Sequence, residues 1–309
     1  MGSTLNYLLK HPSLFQYAVG ITYPQFTDIL PKFSQALRQA EYKRAYSFKR
    51  VREVGGGRKA TLKSDLEKLF FILLYYKLYP TFRFAQAMFE FDKRNIQLWV
   101  RFLSPVLFSA LGYELSLPIR KRRVNRYEAW IEECPDLKQF LVDCTERSVQ
   151  RPKDHKLQEK YYSGKKKHHS VKNQLLVSPR NTRILAISNT HPGTSHDKKL
   201  FEQDPLILKA PEESVAMADS GYQGADGIQP FLKVVIPKRK PPGQELTEAE
   251  KANNQAISRV RVRVEHPISY LKHFNILSQK YRGRVENTDQ LDLPIKTIAC
   301  IYNFTRPPS

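Results

Sequence analysis

Apolar residues follow a helical spacing over the first third of the chain and a strand-like spacing through the middle. Phe26, Ile29, Leu30, Phe33 and Leu37 fall on one face of a helix; Pro24 suits its first turn, and Pro31 predicts a kink or a break partway along. Residues 50–59 carry Gly55, Gly56 and Gly57 among basic side chains and read as a flexible joint. A sharper stripe follows: Leu62, Leu66, Leu69, Phe70, Leu73 and Leu74 predict a helix over about 62–78, capped by Thr61 and stopped by Pro80. Thr81 can cap a short second helix with Phe82, Ala85, Met88 and Phe89 inward. Asp92 can cap a third, with Ile96, Trp99, Val100 and Leu103 inward. Three helices with tight turns predict a helix-turn-helix, in which Lys93, Arg94, Asn95 and Gln97 lie toward a DNA groove. The same spacing also builds a plain helical subdomain with a charged outer face.

Beyond Leu117 the pattern shifts. Arg120, Lys121, Arg122 and Arg123 form a basic connector suited to lie along phosphates, and residues 126–140 read as a helix. Phe140, Leu141 and Val142 then form a buried strand predicted to end in Asp143. Strands over 169–177 and 183–188 complete an antiparallel meander, and Ser195 can cap a helix holding Leu200 and Phe201. Val215 to Ala218 is a further strand running into Asp219, and residues 234–236 another. Thr247 and Glu250 match a capping box, opening a long helix whose stripe is Ile257, Val260, Val264, Ile268 and Leu271. That helix carries Glu265, and Pro267 two places on predicts a kink or a restart.

Composition narrows the class. The 309 residues allow two or three domains, and 41% apolar residues are ample for real cores. A net charge of +21 suits a polyanionic partner, nucleic acid first, with a merely basic soluble protein as the alternative. Cys134, Cys144 and Cys300 lack paired spacing, so neither a zinc site nor a disulfide framework is indicated. No stretch reads as a signal peptide or as a span of the roughly 20 residues a membrane requires. The expected location is the cytoplasm, on the nucleoid.

Asp143, Asp219 and Glu265 are the candidate chemistry. Two of them follow apolar strands, where an unpaired acid is costly, and carboxylates are the ligands hard cations such as Mg²⁺ take. Two such ions suit in-line attack on a phosphate. For Glu265 the competing reading is an ordinary ion pair with Arg261, one helical turn earlier. Lys165, Lys166, Lys167, His168, Lys172, Arg259, Arg261 and Arg263 are candidate phosphate contacts, with a solvated charge run as the alternative for the lysine cluster.

The ordered set Asp143-Cys144-Thr145-Glu146, Gly164-Lys165-Lys166-Lys167-His168, Pro192-Gly193-Thr194-Ser195-His196-Asp197, Ala218-Asp219-Ser220-Gly221-Tyr222 and Arg263-Val264-Glu265-His266 resembles bacterial insertion-sequence transposases. More narrowly, it resembles the insertion-sequence-five group and is similar to eukaryotic Harbinger-type transposases. Cys144 departs from the small glycine or alanine common at its place. The resemblance implies an α/β (α+β) fold: a ribonuclease-H-like mixed sheet flanked by helices, preceded by an all-α helix-turn-helix domain. Domains are expected at 1–58 (helical segment and joint), 59–124 (helix-turn-helix and connector) and 125–309 (catalytic). The implied triad is Asp143, Asp219 and Glu265 holding two Mg²⁺ ions, with Mn²⁺ as a substitute; Asp197 competes with Asp219 as second acid. The implied partners are double-stranded DNA, as transposon ends and as target, and further copies of the chain in a dimer or larger assembly. No membrane is implied.

Overall fold

A computed structural model describes residues 2–46, 60–112, 115, 138–203, 207, 213–225 and 232–306. The glycine-bearing joint, the connector with Arg120, Lys121, Arg122 and Arg123, and all but the end of the helix expected over 126–140 lie outside these residues. The chain divides into two compact units. One comprises Met1–Glu114, His273–Gln279 and Leu293–Thr305; the other comprises Leu115–Lys272, Lys280–Asp292 and Arg306–Ser309.

The first unit is helical, with α1 (Gly2–Leu9), α2 (Pro12–Val19), α3 (Tyr23–Tyr46), α4 (Asp65–Leu78), α5 (Phe82–Phe89) and α6 (Lys93–Leu111). α3 runs through Pro31 without a break. A proline removes one N–H, and the stripe of Phe26, Ile29, Phe33, Ala36 and Leu37, buried on both sides of it, outweighs that loss. α4 starts later than the apolar stripe alone predicts, because the box is built on Ser64. Its hydroxyl accepts from the Glu67 N–H at 3.1 Å, and the Glu67 carboxylate accepts from the Ser64 N–H at 3.2 Å. Thr61 has no acid three places on. Thr81 and Asp92 cap α5 and α6 as expected. Between those helices Glu90 takes a left-handed conformation, φ 59°, which turns the chain within a few residues.

The second unit carries β1 (Gln139–Ser148), α7 (His155–Tyr161), β2 (Tyr162–Ser163), β3 (His168–Val177), β4 (Ile184–Ile187), β5 (His191–Pro192), α8 (Asp197–Gln203), β6 (Ser214–Met217), β7 (Leu232–Val235), α9 (Glu248–Arg261) and α10 (Glu265–Lys272). Among the described residues the sheet runs β2-β3-β1-β6-β7, and β4 and β5 pair with β3. β1 is antiparallel to β3 and parallel to β6, and β6 is parallel to β7. This mixed sheet with its helices, together with a helical N-terminal region, is the ribonuclease-H-like α/β class the sequence implies.

β1 does not stop at Asp143 but continues to Ser148, because the ladder to β3 holds from Leu141↔Val177 to Ser148↔Ser170. Backbone pairing satisfies Thr145 to Ser148 in spite of their polar side chains. Strand alternation then sends Phe140 and Val142 to one face and Asp143 to the other. The first face packs with Leu176, Phe201, Ala216, Ala218 and Tyr222, all buried.

The capping box at Thr247 is present, with the hydroxyl accepting from the Glu250 N–H at 3.2 Å. The long helix breaks as Pro267 requires: a 3-10 turn, Val262–Val264, separates α9 from α10. Pro267 therefore sits in the first turn of α10, where a missing N–H costs nothing. Two further helices complete the chain, α11 (Asn275–Ser278) and α12 (Thr288–Phe304).

Candidate active site

The parallel register of β1 with β6 pairs Gln139 with Val215, Phe140 with Ala216 and Leu141 with Met217. Carried two residues further, it sets Asp143 opposite Asp219. β6 ends at Met217, so Asp219 belongs to the turn beyond the strand. Its Oδ1 accepts the Gly221 N–H at 2.8 Å and caps the 3-10 turn Ser220–Tyr222. Asp143 is fixed in the same manner, its Oδ1 accepting the Cys144 N–H at 2.7 Å.

A third acid is drawn in. A methyl group placed on Gly221 would lie 2.9 Å from Oδ1 of Asp219 and 3.5 Å from Oδ2 of Asp197, so the two carboxylates converge on one glycine. Asp197 opens α8, and its Oδ1 meets the Lys172 ammonium at 3.0 Å; the same ammonium donates to the Ser195 carbonyl at 2.9 Å.

Burial pushes the Asp143 carboxyl up to about 6, and the negative charges of Asp219 and Asp197 add to the rise. The Cys144 N–H and the Arg261 guanidinium oppose it, the latter 3.8 Å from Oδ2. Arg261 arrives there because the 3-10 turn after α9 lies against β1. Behind the acids, the Tyr222 hydroxyl and the Cys144 sulfur stand 3.3 Å apart, and burial pushes both groups up. This buried contact joins the Asp219 turn to β1. The Cys144 side chain supplies one half of it.

Glu265 is exposed at the start of α10, and its charge is not among those acting on Asp143. Arg261 is directed at Asp143. Among the described residues, no group of three or more His, Cys, Asp or Glu stands close enough to share a metal ion. The donor set nonetheless fits a hard cation in part: Asp143, within β1, and Asp219, in the turn after β6, offer carboxylate oxygens, and the negative charge of Asp219 adds to the rise at Asp143.

The basic candidates separate. Lys93, Arg94, Asn95 and Gln97 are exposed on the first turn of α6, and Lys165, Lys166, Lys167 and Arg259 are exposed as well. His168 is occupied on both ring nitrogens: Nδ1 lies 2.9 Å from the Lys166 carbonyl and Nε2 2.9 Å from the Ser148 hydroxyl. A carbonyl only accepts, so Nδ1 carries a proton. Lys172 is largely buried against Asp197, and Arg263 donates to the Pro179 carbonyl. Sequence reasoning missed the Lys172–Asp197 and Cys144–Tyr222 pairs, and in neither case does spacing along the chain reveal the partner. The need for glycine at 221 was legible in principle, since it follows Asp219 at the distance of a side-chain cap.

The mixed sheet thus brings Asp143, within β1, near Asp219, in the turn beyond β6. Residues 142–303 match the family described as DDE superfamily endonuclease, and the chain belongs to that family. A probable transposase for insertion sequence element IS702, from Microchaete diplosiphon, is 30% identical over 239 residues, covering 77% of this chain and 79% of that protein. No solved structure matches. Among the described residues, no helix is long and apolar enough to cross a membrane.

Proposed function

We propose that the chain is a DNA transposase of the insertion-sequence-five group, acting on nucleoid DNA. In this reading it binds transposon terminal repeats, nicks at their ends and joins the freed 3′-hydroxyl to target DNA. The observation that carries this is the adjoining placement of Asp143 and Asp219 in a chain of the DDE endonuclease family. Asp143 and Asp219 hold the divalent ions, Mg²⁺ or Mn²⁺. Ions bound there supply charge stabilisation for the attacking and leaving oxygens of an in-line displacement. Each aspartate is fixed through Oδ1, so little reorganisation is needed when a ligand arrives. Arg261 is the resident counter-charge at Asp143 and stands where a scissile phosphate would meet it. Glu265, exposed at the start of α10, is the third acid of the triad in this reading.

Lys165, Lys166, Lys167 and Arg259, exposed and basic, position phosphates and carry no sequence information. The exposed start of α6, with Lys93, Arg94, Asn95 and Gln97, reads base edges. Two ends paired for joining require at least two copies of the chain.

The test uses a pre-nicked end duplex, a second duplex and Mg²⁺. Joined product is expected. Nicking of an intact end without any joining of the pre-nicked one would instead mark a structure-specific nuclease. Gly221→Ala supplies a further check. A methyl group there drives the Asp219 carboxylate off its cap, and a misplacement near 1 Å costs about 100-fold in rate. Cleavage is expected to fall by that order while the circular dichroism spectrum stays unchanged.

A further inference from the structure

We infer that Leu98 is a specificity-determining residue of α6, set to pack on the 5-methyl group of a thymine in the major groove. This rests on the reading above that the start of α6 reads base edges, and it names one of the bases read.

The packing of α6 decides which residues face outward. Ile96, Leu103 and Leu107 are buried, and α6 packs with α3, α4 and α5. On the opposite side Arg94, Leu98, Arg101 and Pro105 follow at steps of four, three and four residues, and all four are exposed. Asn95 and Gln97, also exposed, flank this row on either side. Leu98 thus stands near the centre of the outward face, with 52% of its surface in solvent.

Charge selects the partner. α5 and α6 together carry Arg83, Lys93, Arg94 and Arg101 and no acidic residue, so this face suits a polyanion and repels a second copy of a chain whose net charge is +21. Arg94 and Arg101 bracket Leu98 at a separation of about 10 Å along the helix axis, which is about three base-pair steps of a duplex. A leucine held between those cations cannot hydrogen-bond to a phosphate or to a base. The apolar group that a base edge presents in the major groove is the thymine methyl, and contact with it is what removes the Leu98 side chain from water.

The test measures binding of the full chain to a transposon-end duplex in which each thymine is replaced in turn by uracil, a change that removes only the methyl group. For the natural chain, replacement of at least one thymine is expected to weaken binding about fourfold, the order for one buried methyl. Leu98→Ala is expected to bind the thymine duplex about fourfold less tightly and to make no distinction between thymine and uracil at that place. Leu98→Met, which keeps an apolar side chain there, is expected to retain the distinction. The dependence of affinity on salt concentration is expected to be the same for the natural chain and Leu98→Ala, since no phosphate contact is removed. Alanine at an exposed helix position preserves the fold, which circular dichroism checks, and the uracil series on the natural chain needs no variant at all. Indifference of the natural chain to every replacement overturns the inference and leaves Asn95 and Gln97 as the readers; a thymine preference that survives in Leu98→Ala overturns it too. A loss in Leu98→Ala that is equal on both duplexes, with altered sedimentation of the free chain, overturns it in favour of an interface between copies. Equal affinity of the natural chain for the end duplex and an unrelated duplex overturns the underlying reading of α6 as well.

Discussion

In EDTA at pH 8, Asp143→Asn is expected to be more stable than the natural chain by up to about 3 kcal/mol, and no more stable at pH 4. The Asp143 carboxyl is pushed up from 3.8 to about 6 in the folded chain, chiefly by burial. Between those values the folded state binds the proton better than the unfolded state does. The stability this contributes is fully present below about pH 4 and is lost as pH rises through about 6. A rise across roughly two pH units, at about 1.4 kcal/mol for each, gives the stated figure. Asparagine keeps the shape and the Oδ1 that accepts the Cys144 N–H, but carries no charge to repel Asp219 and Asp197. Urea midpoints followed by circular dichroism across the pH range check this; coincident midpoints at pH 8 would show that Asp143 is not held against its charge. Adding Mg²⁺ is expected to reverse the order, since only the natural chain then gains a ligand for that carboxylate.

Arg147→Met is expected to cost about 3 kcal/mol of stability, the order for leaving buried polar groups without their charged donor. Arg147 lies on the same face of β1 as Asp143, two alternations along. It is buried, and its guanidinium donates to the Leu291 carbonyl at 3.1 Å, to Asn173 Oδ1 at 2.8 Å and to the Thr190 hydroxyl at 3.2 Å. Burial lowers it to about 10, and the charge of Asp292 opposes that fall. Asp292 is itself buried and accepts the Thr190 N–H at 2.8 Å. Methionine fills the aliphatic volume but leaves Asn173 Oδ1 and the Leu291 carbonyl short of a donor, and the buried Asp292 without the guanidinium charge acting on it. The double variant Arg147→Met with Asp292→Leu is expected to regain part of the loss, because no unpaired charge then stays buried. A single variant within about 0.5 kcal/mol of the natural chain, the interval of ordinary surface substitutions, would mean that the network contributes nothing.

What could be read from the sequence was what local chemistry decides. The caps at Thr81, Asp92 and Thr247 were legible because each hydroxyl or carboxylate acts within a few residues of itself. The restart of the helix at Glu265 followed from Pro267 alone. Asp143 and Asp219 could be paired because an apolar run into an acid occurs at both, and the parallel pairing of those runs brings the two acids near each other, although β1 continues past Asp143. The extent of β1 was not legible: Thr145, Glu146 and Ser148 look like loop, and only the partner strand, some 25 residues on, decides otherwise. For the same reason Lys172 reads as one more basic residue until β3 and the start of α8 are brought together. The continuity of α3 through Pro31 depends on tertiary burial, which no local rule contains. Glu265 was a candidate by its place on the long helix, against an ordinary ion pair with Arg261, and then by resemblance; in the structure Arg261 takes the position beside Asp143.

The most direct measurement is cleavage of a labelled transposon-end duplex in Mg²⁺ by the natural chain, Asp143→Asn and Asp219→Asn, with binding of the same duplex measured alongside. The natural chain is expected to nick at the transposon end and leave a 3′-hydroxyl, while both variants bind the duplex with unchanged affinity and leave it intact. Nicking at the natural rate by either variant would contradict the account.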